Sequence, residues 1–511
     1  MSSPKSPINP WFYRLALAGT VFLYLVLAIG TALTKRPLGD EGFMANPALD
    51  VLARGSTGVT AMEPTGNSIA VGQTLPGITE HLYLAMPFPI YLHAAWYKIF
   101  GAGIFSTRMV SIAFGLLALG ACWVLTGGLT GNRMIALLAT FFLTIDYAFI
   151  FAAADGRADM MAGAFSLAAL AAYVHLRERS LNLAVLVSQT FLAAGIFSHP
   201  NAGLGFFGIL LLALYFDRNR LRLVHIGLAA IPFACFALGW ALYILPHPDD
   251  FRLQFGANLA GRWQGVSGLL MSPVIEIRTR YLELWYLPSY ATGLSRLRVL
   301  IPVLYLAAFV GCLVTRSIRQ AAGSRVLLTL TALYFLCMSV LEGHKNYYYL
   351  IHIVPFFAAV FGTWTYWSWS YWSWTQRRFP KLLVLCCAGA LVFLQLSWAA
   401  YNIRRNLYRN SYLPTVEFVK RNATPTGGIV GSLEMGFGLG FFGNFKDDAT
   451  LGFYTHRQPE LVIVDERNYG SAFEAYKTTA PEVHHYMTKL LGEKYSKVFE
   501  VPGYQVFQRI R

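Results

Sequence analysis

Long apolar runs, broken by short basic or Gly- and Pro-containing turns, set the pattern of the chain. Eleven of them read as membrane-spanning helices, at about 14–34, 107–128, 133–152, 160–176, 181–198, 202–216, 223–245, 298–315, 326–342, 348–367 and 382–401. Several reach about 18–22 residues, the length that crosses a hydrocarbon core of roughly 30 Å. The first run ends in Thr34-Lys35-Arg36-Pro37, without a small-residue cleavage site, and reads as a retained span. Residues 86–101 are shorter and mixed, with Pro87 and Pro89 at the front. This predicts an amphipathic helix lying at the interface.

The pattern changes after about residue 401. Leu413–Asn422 and Pro481–Leu491 have helical spacing, Gly428–Glu434 and Glu460–Asp465 read as strands, and Tyr504–Ile510 reads as an edge strand. About 100 residues are enough for a separate small core. The expected fold class is a polytopic α-helical membrane protein with a small C-terminal α/β domain. The membrane domain covers 1–401, with an outer loop at 35–106 and a long outer loop at 246–297, and the α/β domain covers 402–511.

Composition agrees. A chain that is 56% hydrophobic and only 13% charged is outside the soluble range. The net charge of +15 invites a nucleic-acid partner, but topology accounts for it. With the N-terminus in the cytoplasm, the inner loops carry Arg133; Arg177 and Arg179; Arg218, Arg220 and Arg222; Arg316, Arg319 and Arg325; and Arg377, Arg378 and Lys381. Every inner loop is then basic, the partners are membrane lipids, and the C-terminal domain is extracytoplasmic. The expected location is a bacterial inner (plasma) membrane. The run Trp364–Trp374 reads as an interfacial aromatic belt. All six cysteines fall inside apolar runs, which argues against disulfides or a zinc cluster.

This orientation sends the unusual polar residues to the outer side. They are Asp40-Glu41, Glu80-His81, Asp155-Gly156-Arg157-Ala158-Asp159, His199, the charges of 246–297, and His344-Lys345-Asn346-Tyr347-Tyr348-Tyr349. Charge close to lipid is costly and is usually functional. A carboxylate anchored at the end of a span can take a proton from a hydroxyl. His344 and Lys345 with neighbouring tyrosines can hold a phosphate. Together they describe transfer of a group from a phosphorylated lipid to an acceptor in water. Plainer readings stand beside this one. Asp155, Arg157 and Asp159 can neutralise one another at a helix start, with both carboxylates on one face. His199 before Pro200 can cap a loop. Glu80 and His81 are compatible with a divalent metal, but two residues are a weak signal and no cofactor is required. The chain lacks the Gly-x-x-x-x-Gly-Lys phosphate loop of an ATP-driven machine and the Asp-x-Asp metal site of many nucleotide-sugar transferases. The competing class is a transporter or flippase of lipid-linked saccharides, which would more often place charges at the midplane and repeat its halves.

The ordered series Gly39-Asp40-Glu41, Met86–Gly101, Ser106–Ser111, Asp155–Met160, Ser198-His199-Pro200 and His344–Tyr349 resembles the C-type membrane glycosyltransferases. The nearest groups are the protein O-mannosyltransferase superfamily and its bacterial relatives, including the lipid A aminoarabinose transferases. The resemblance covers about 30–360. It implies a polyprenyl-phosphate sugar donor, an inverting transfer, Asp40 as catalytic base with Glu41 beside it, and a donor phosphate held by Lys345, His344, Tyr348 and Arg157. Asp155, Glu80, His81 and His199 are the candidate substrate contacts. One departure stands out. The interfacial helix opens with Ala85-Met86-Pro87-Phe88-Pro89 instead of a basic residue and Pro-Pro, which leaves His81 as a replacement contact.

Overall fold

The computed structural model describes residues 9–66, 74–259, 270–374 and 378–510. Side chains at 371–380 also lie outside the described set, so the end of the aromatic run and Arg377 and Arg378 are not placed. Among the described residues, eight helices are long and apolar enough to cross a membrane: Pro10–Thr34, Ile104–Thr130, Ala158–Leu176, Pro200–Asp217, Leu223–Ile244, Gly293–Val314, Ala322–Leu341 and the helical stretch Lys381–Asn422. The pair Arg133–Ile145 and Tyr147–Ala153 makes a ninth, bent by 65°. Leu181–Ile196 and Val354–Trp374 are helical too, so all eleven apolar runs fold as helix.

The bend has an identifiable cause. Asp146 ends one helix and caps the next, accepting from Ala148 N (2.9 Å) and Phe149 N (3.2 Å). Tyr305 Oη (2.7 Å) and Gln395 Nε2 (2.6 Å) donate to its other oxygen, so this buried carboxylate is fully paired. Small residues let the central helices approach closely: a Cβ on Gly163 would touch Ile351, and one on Gly195 would press on Ala202. The Leu223–Ile244 helix is almost wholly exposed and turns an apolar surface to lipid.

Residues 35–85 are not a simple loop. A helix runs from Gly39 to Arg54 and ends at Gly55, whose left-handed φ of 75° suits glycine. Pro87–Phe100 forms a helix, as expected for this stretch. The C-terminal sheet has strands β1 (Ile429–Val430), β2 (Phe445–Lys446), β3 (Leu461–Asp465), β4 (Tyr495–Val501) and β5 (Tyr504–Arg509), in the order β2-β1-β3-β5-β4. β1 is parallel to both neighbours, while β3–β5 and β4–β5 are antiparallel.

Three expectations change here. The strand expected over Gly428–Glu434 stops at Val430, because Leu433 N donates to Asp447 (3.1 Å) instead of to a ladder. The strand at Tyr504–Arg509 is interior, and Tyr495–Val501, largely polar and exposed, takes the edge. Asp155 precedes the helix that starts at Ala158, so Asp155 and Asp159 do not share a helical face.

The sheet is not detached from the bundle. Asp447 N donates to Ala61 O (2.7 Å) and Glu63 N to Asp447 O (3.0 Å), so Met62 pairs as a parallel bridge beside β2. Gly42 meets the backbone of Leu433, where an added Cβ would lie 2.5 Å from the carbonyl oxygen.

Candidate active site

Asp40 and Glu41 open the same helix, where successive side chains diverge by about 100°. Glu41 turns inward and is fully buried. It receives Arg108 Nε (2.7 Å) and Nη2 (2.8 Å), Gly156 N (3.0 Å) and Leu38 N (2.9 Å). Burial alone would raise its pKa, but the Arg108 guanidinium more than offsets that and holds it below the usual range. Glu41 therefore fastens the helix to its neighbours and does not reach the cavity, contrary to its expected place beside the base. Asp40 turns outward, with 57% of its side chain exposed, and pairs with Arg157.

Arg157 sits in the turn before the Ala158–Leu176 helix. Its guanidinium lies 3.9 Å above the Tyr348 ring, and its Nε donates to Asp159 Oδ2 (2.7 Å). His199 Nε2 is 3.9 Å from the other Asp159 oxygen, and its ring packs on Tyr349. Its Nδ1 also caps Asn201 N, as the loop-capping expectation had it. Asp155 belongs elsewhere: it is buried against Lys35 Nζ at 2.7 Å and is not among the residues lining the cavity beside Asp40 and Arg157. Burial pushes Asp155 up to about 6 and Lys35 down to about 8.

These groups surround a cavity of about 820 Å³. Asp40, Arg157, His199 and His344 line it, together with Asp159. Tyr348 acts from behind, through its ring under Arg157 and its hydroxyl bonded to Tyr347 (2.9 Å). Lys345 does not line it. Its ammonium donates to Ser339 O (2.6 Å) and Glu342 O (2.6 Å) and pairs with Glu276 at 3.2 Å. No N–H of Lys345 is left for a phosphate.

The cation that faces the cavity is Arg280, which the sequence reading did not single out. It is fully buried, Nη1 lies 2.9 Å from Glu276, and its guanidinium nitrogens make no aligned hydrogen bond among the described residues. His352 is a second missed residue, buried at the cavity with neither ring nitrogen bonded among the described residues. A buried donor left unpaired costs roughly 1–3 kcal/mol, which marks the place a ligand is expected to fill. Glu276 and Arg280 are four residues apart in the stretch 246–297, a helical ion-pair spacing that was the only available signal.

Glu80 and His81 lie outside this cavity. His81 Nε2 is 2.7 Å from Asp250, and its ring stacks on His247 at 4.2 Å. Ligand atoms of His81, His247 and Asp250 all fall within 4.8 Å of one another, a donor set suited to a divalent metal. Glu80 is exposed and takes no part.

Residues 85–240 match the family model described as dolichyl-phosphate-mannose-protein mannosyltransferase. Comparison with curated protein sequences gives no match. Among solved structures, ArnT from Cupriavidus metallidurans bound to undecaprenyl phosphate is similar with a TM-score of 0.57 at 12% identity, over 98% of this chain and 99% of that one. The Archaeoglobus fulgidus oligosaccharyltransferase tethered with an acceptor peptide gives 0.58 at 11% identity, over 98% and 74%. AglB from the same organism, in complex with an inhibitory peptide and a dolichol-phosphate, gives 0.56 at 11%, also over 98% and 74%. At these identities the likeness is one of architecture: the chain is an integral membrane protein with the C-type glycosyltransferase fold, carrying a stretch that matches the protein mannosyltransferase model.

Proposed function

We propose that the protein moves a sugar from a polyprenyl-phosphate donor to an acceptor at the outer face of the membrane, with Asp40 as general base and inversion at the anomeric carbon. The supporting observation is a single cavity with an exposed carboxylate at one side and, at another, a buried guanidinium that is ion-paired with Glu276 but makes no aligned hydrogen bond among the described residues. The acceptor oxygen attacks the anomeric carbon, the bond to the lipid phosphate breaks, and the acceptor proton passes to Asp40. The lipid phosphate leaves as an anion and needs no acid. Arg280 receives that charge, with His344 and Arg157 nearby, in the place first assigned to Lys345. Lys345 positions Arg280 through their shared partner Glu276.

Arg157 holds Asp40 aimed, because a guanidinium held by Asp159 and stacked on Tyr348 cannot drift. The N-terminus is cytoplasmic and the 402–511 domain lies outside, which puts the donor sugar and Asp40 at one depth. The test incubates purified protein with a panel of polyprenyl-phosphate sugars and reads lipid-phosphate release. Arg280→Gln is expected to lower donor affinity about tenfold or more, as loss of a charged hydrogen bond does. Normal donor affinity in Arg280→Gln, or no release from any donor, would overturn the reading.

A further inference from the structure

Polar groups around the cavity are not distributed evenly. The basic residue types that line it, Arg157, Arg280, His199, His344 and His352, come from the helical bundle and its loops. The C-terminal sheet closes another wall with Ser432, Asp447, Asn468 and Tyr469, none of them cationic. Arg467, the residue before Asn468, is exposed and does not line the cavity.

That wall is built of hydrogen-bond acceptors held in place. Asp447 is 7% exposed, with one oxygen taking Leu433 N (3.1 Å) and the other Tyr469 Oη (2.9 Å). Its backbone is fixed on both sides by the bridge to Ala61 and Glu63. The Asn468 amide donates to Ser432 (2.7 Å) and Asp465 (3.0 Å), which directs its carbonyl oxygen away from both. A carboxyl and an amide oxygen with lone pairs to spare favour ligand O–H groups and repel phosphate oxygens.

We propose that this wall is the acceptor subsite, and that it takes a neutral, hydroxyl-rich carbohydrate. The proposal rests on the transferase reading above and names the substrate class that reading leaves open. A phosphorylated acceptor would meet the Asp447 carboxyl on this wall, and Arg157, which pairs with Asp40, already serves two carboxylates. An extended peptide cannot add as a strand at β2, because the β2 edge beside the cavity is occupied by Ala61–Glu63. Several hydroxyls on one rigid ring match spaced, fixed acceptors at little entropic cost.

The test uses the purified full chain with three probes: mannotriose, mannose 6-phosphate and a neutral threonine-containing hexapeptide. Binding is read by saturation-transfer NMR, and undecaprenyl phosphate binding is measured in parallel. Mannotriose is expected to bind best, and Asp447→Asn to weaken it about three- to tenfold, the range for a lost neutral hydrogen bond. Asn468→Lys, a change at a half-buried position, is expected to weaken mannotriose and to improve mannose 6-phosphate. Both variants should bind undecaprenyl phosphate as the wild type does, which also reports their folding. Tighter binding of mannose 6-phosphate or of the peptide to wild type overturns the proposal, as does unchanged mannotriose affinity in both variants. A wild-type protein that fails to bind undecaprenyl phosphate sinks the transferase reading, and this subsite with it.

Discussion

Replacing Glu41 by Gln separates the roles of the two adjacent carboxylates. Glu41 is fully buried and receives four hydrogen bonds at 2.7–3.0 Å, two of them from Arg108. Glutamine keeps the shape but has a single acceptor oxygen, and its amide would point N–H groups at N–H groups. Arg108 would keep its bonds to Ala32 O (2.5 Å) and Lys35 O (2.9 Å) but lose its counter-charge. Breaking one side of a buried pair typically costs about 3–5 kcal/mol. Glu41→Gln should therefore show a large loss of thermal stability in detergent. Turnover per folded molecule should change far less. Because the cost lies in the orphaned guanidinium, Arg108→Met in the Glu41→Gln background should restore part of the stability, a coupling that a double-mutant cycle reads directly. A Glu41→Gln protein of normal stability and no turnover would refute the assignment and move Glu41 into the chemistry.

Gly42→Ala should push Leu433 from the helix, at a cost of about 1–3 kcal/mol for overpacking, and lower acceptor-dependent transfer more than donor binding; unchanged transfer would mean that the C-terminal wall is not part of the site. Zinc or manganese should raise the melting temperature of the wild type but not of His247→Ala, by about 2.7 kcal/mol of stabilisation at a hundredfold excess over Kd; equal responses would remove the metal. Burial pushes Asp447 up to about 7, so the folded chain holds that proton more tightly than the unfolded one. The stability this group contributes is full at acid pH and is lost as pH rises toward 7, so wild type should lose ground to Asp447→Asn between about pH 4 and 7; parallel melting curves would contradict this.

Local signals carried far in this chain. Apolar runs of span length became helices, and Pro87 and Pro89 marked a helix start correctly. Asp40 was legible from its position directly after a span. Its neighbour was not, because what buries Glu41 is Arg108, 67 residues away, and a single sequence holds no trace of that pairing. Lys345 drew attention through the dense polar run around it, yet two nearby carbonyls and Glu276 occupy it. Arg278 and Arg280 look alike on paper. Only folding exposes the first, at 76%, and buries the second at the cavity. The C-terminal wall was illegible for a similar reason, since the sheet edge meets Ala61–Glu63 across nearly the whole chain.

The central claim is that Asp40 takes the acceptor's proton in this cavity. The most direct measurement compares lipid-phosphate release by wild type and Asp40→Asn, with the same polyprenyl-phosphate sugar and acceptor. General base catalysis is worth about 10²–10⁴-fold, so turnover should fall by that factor, with melting temperature and donor affinity close to normal. Near-normal turnover in Asp40→Asn would contradict the account.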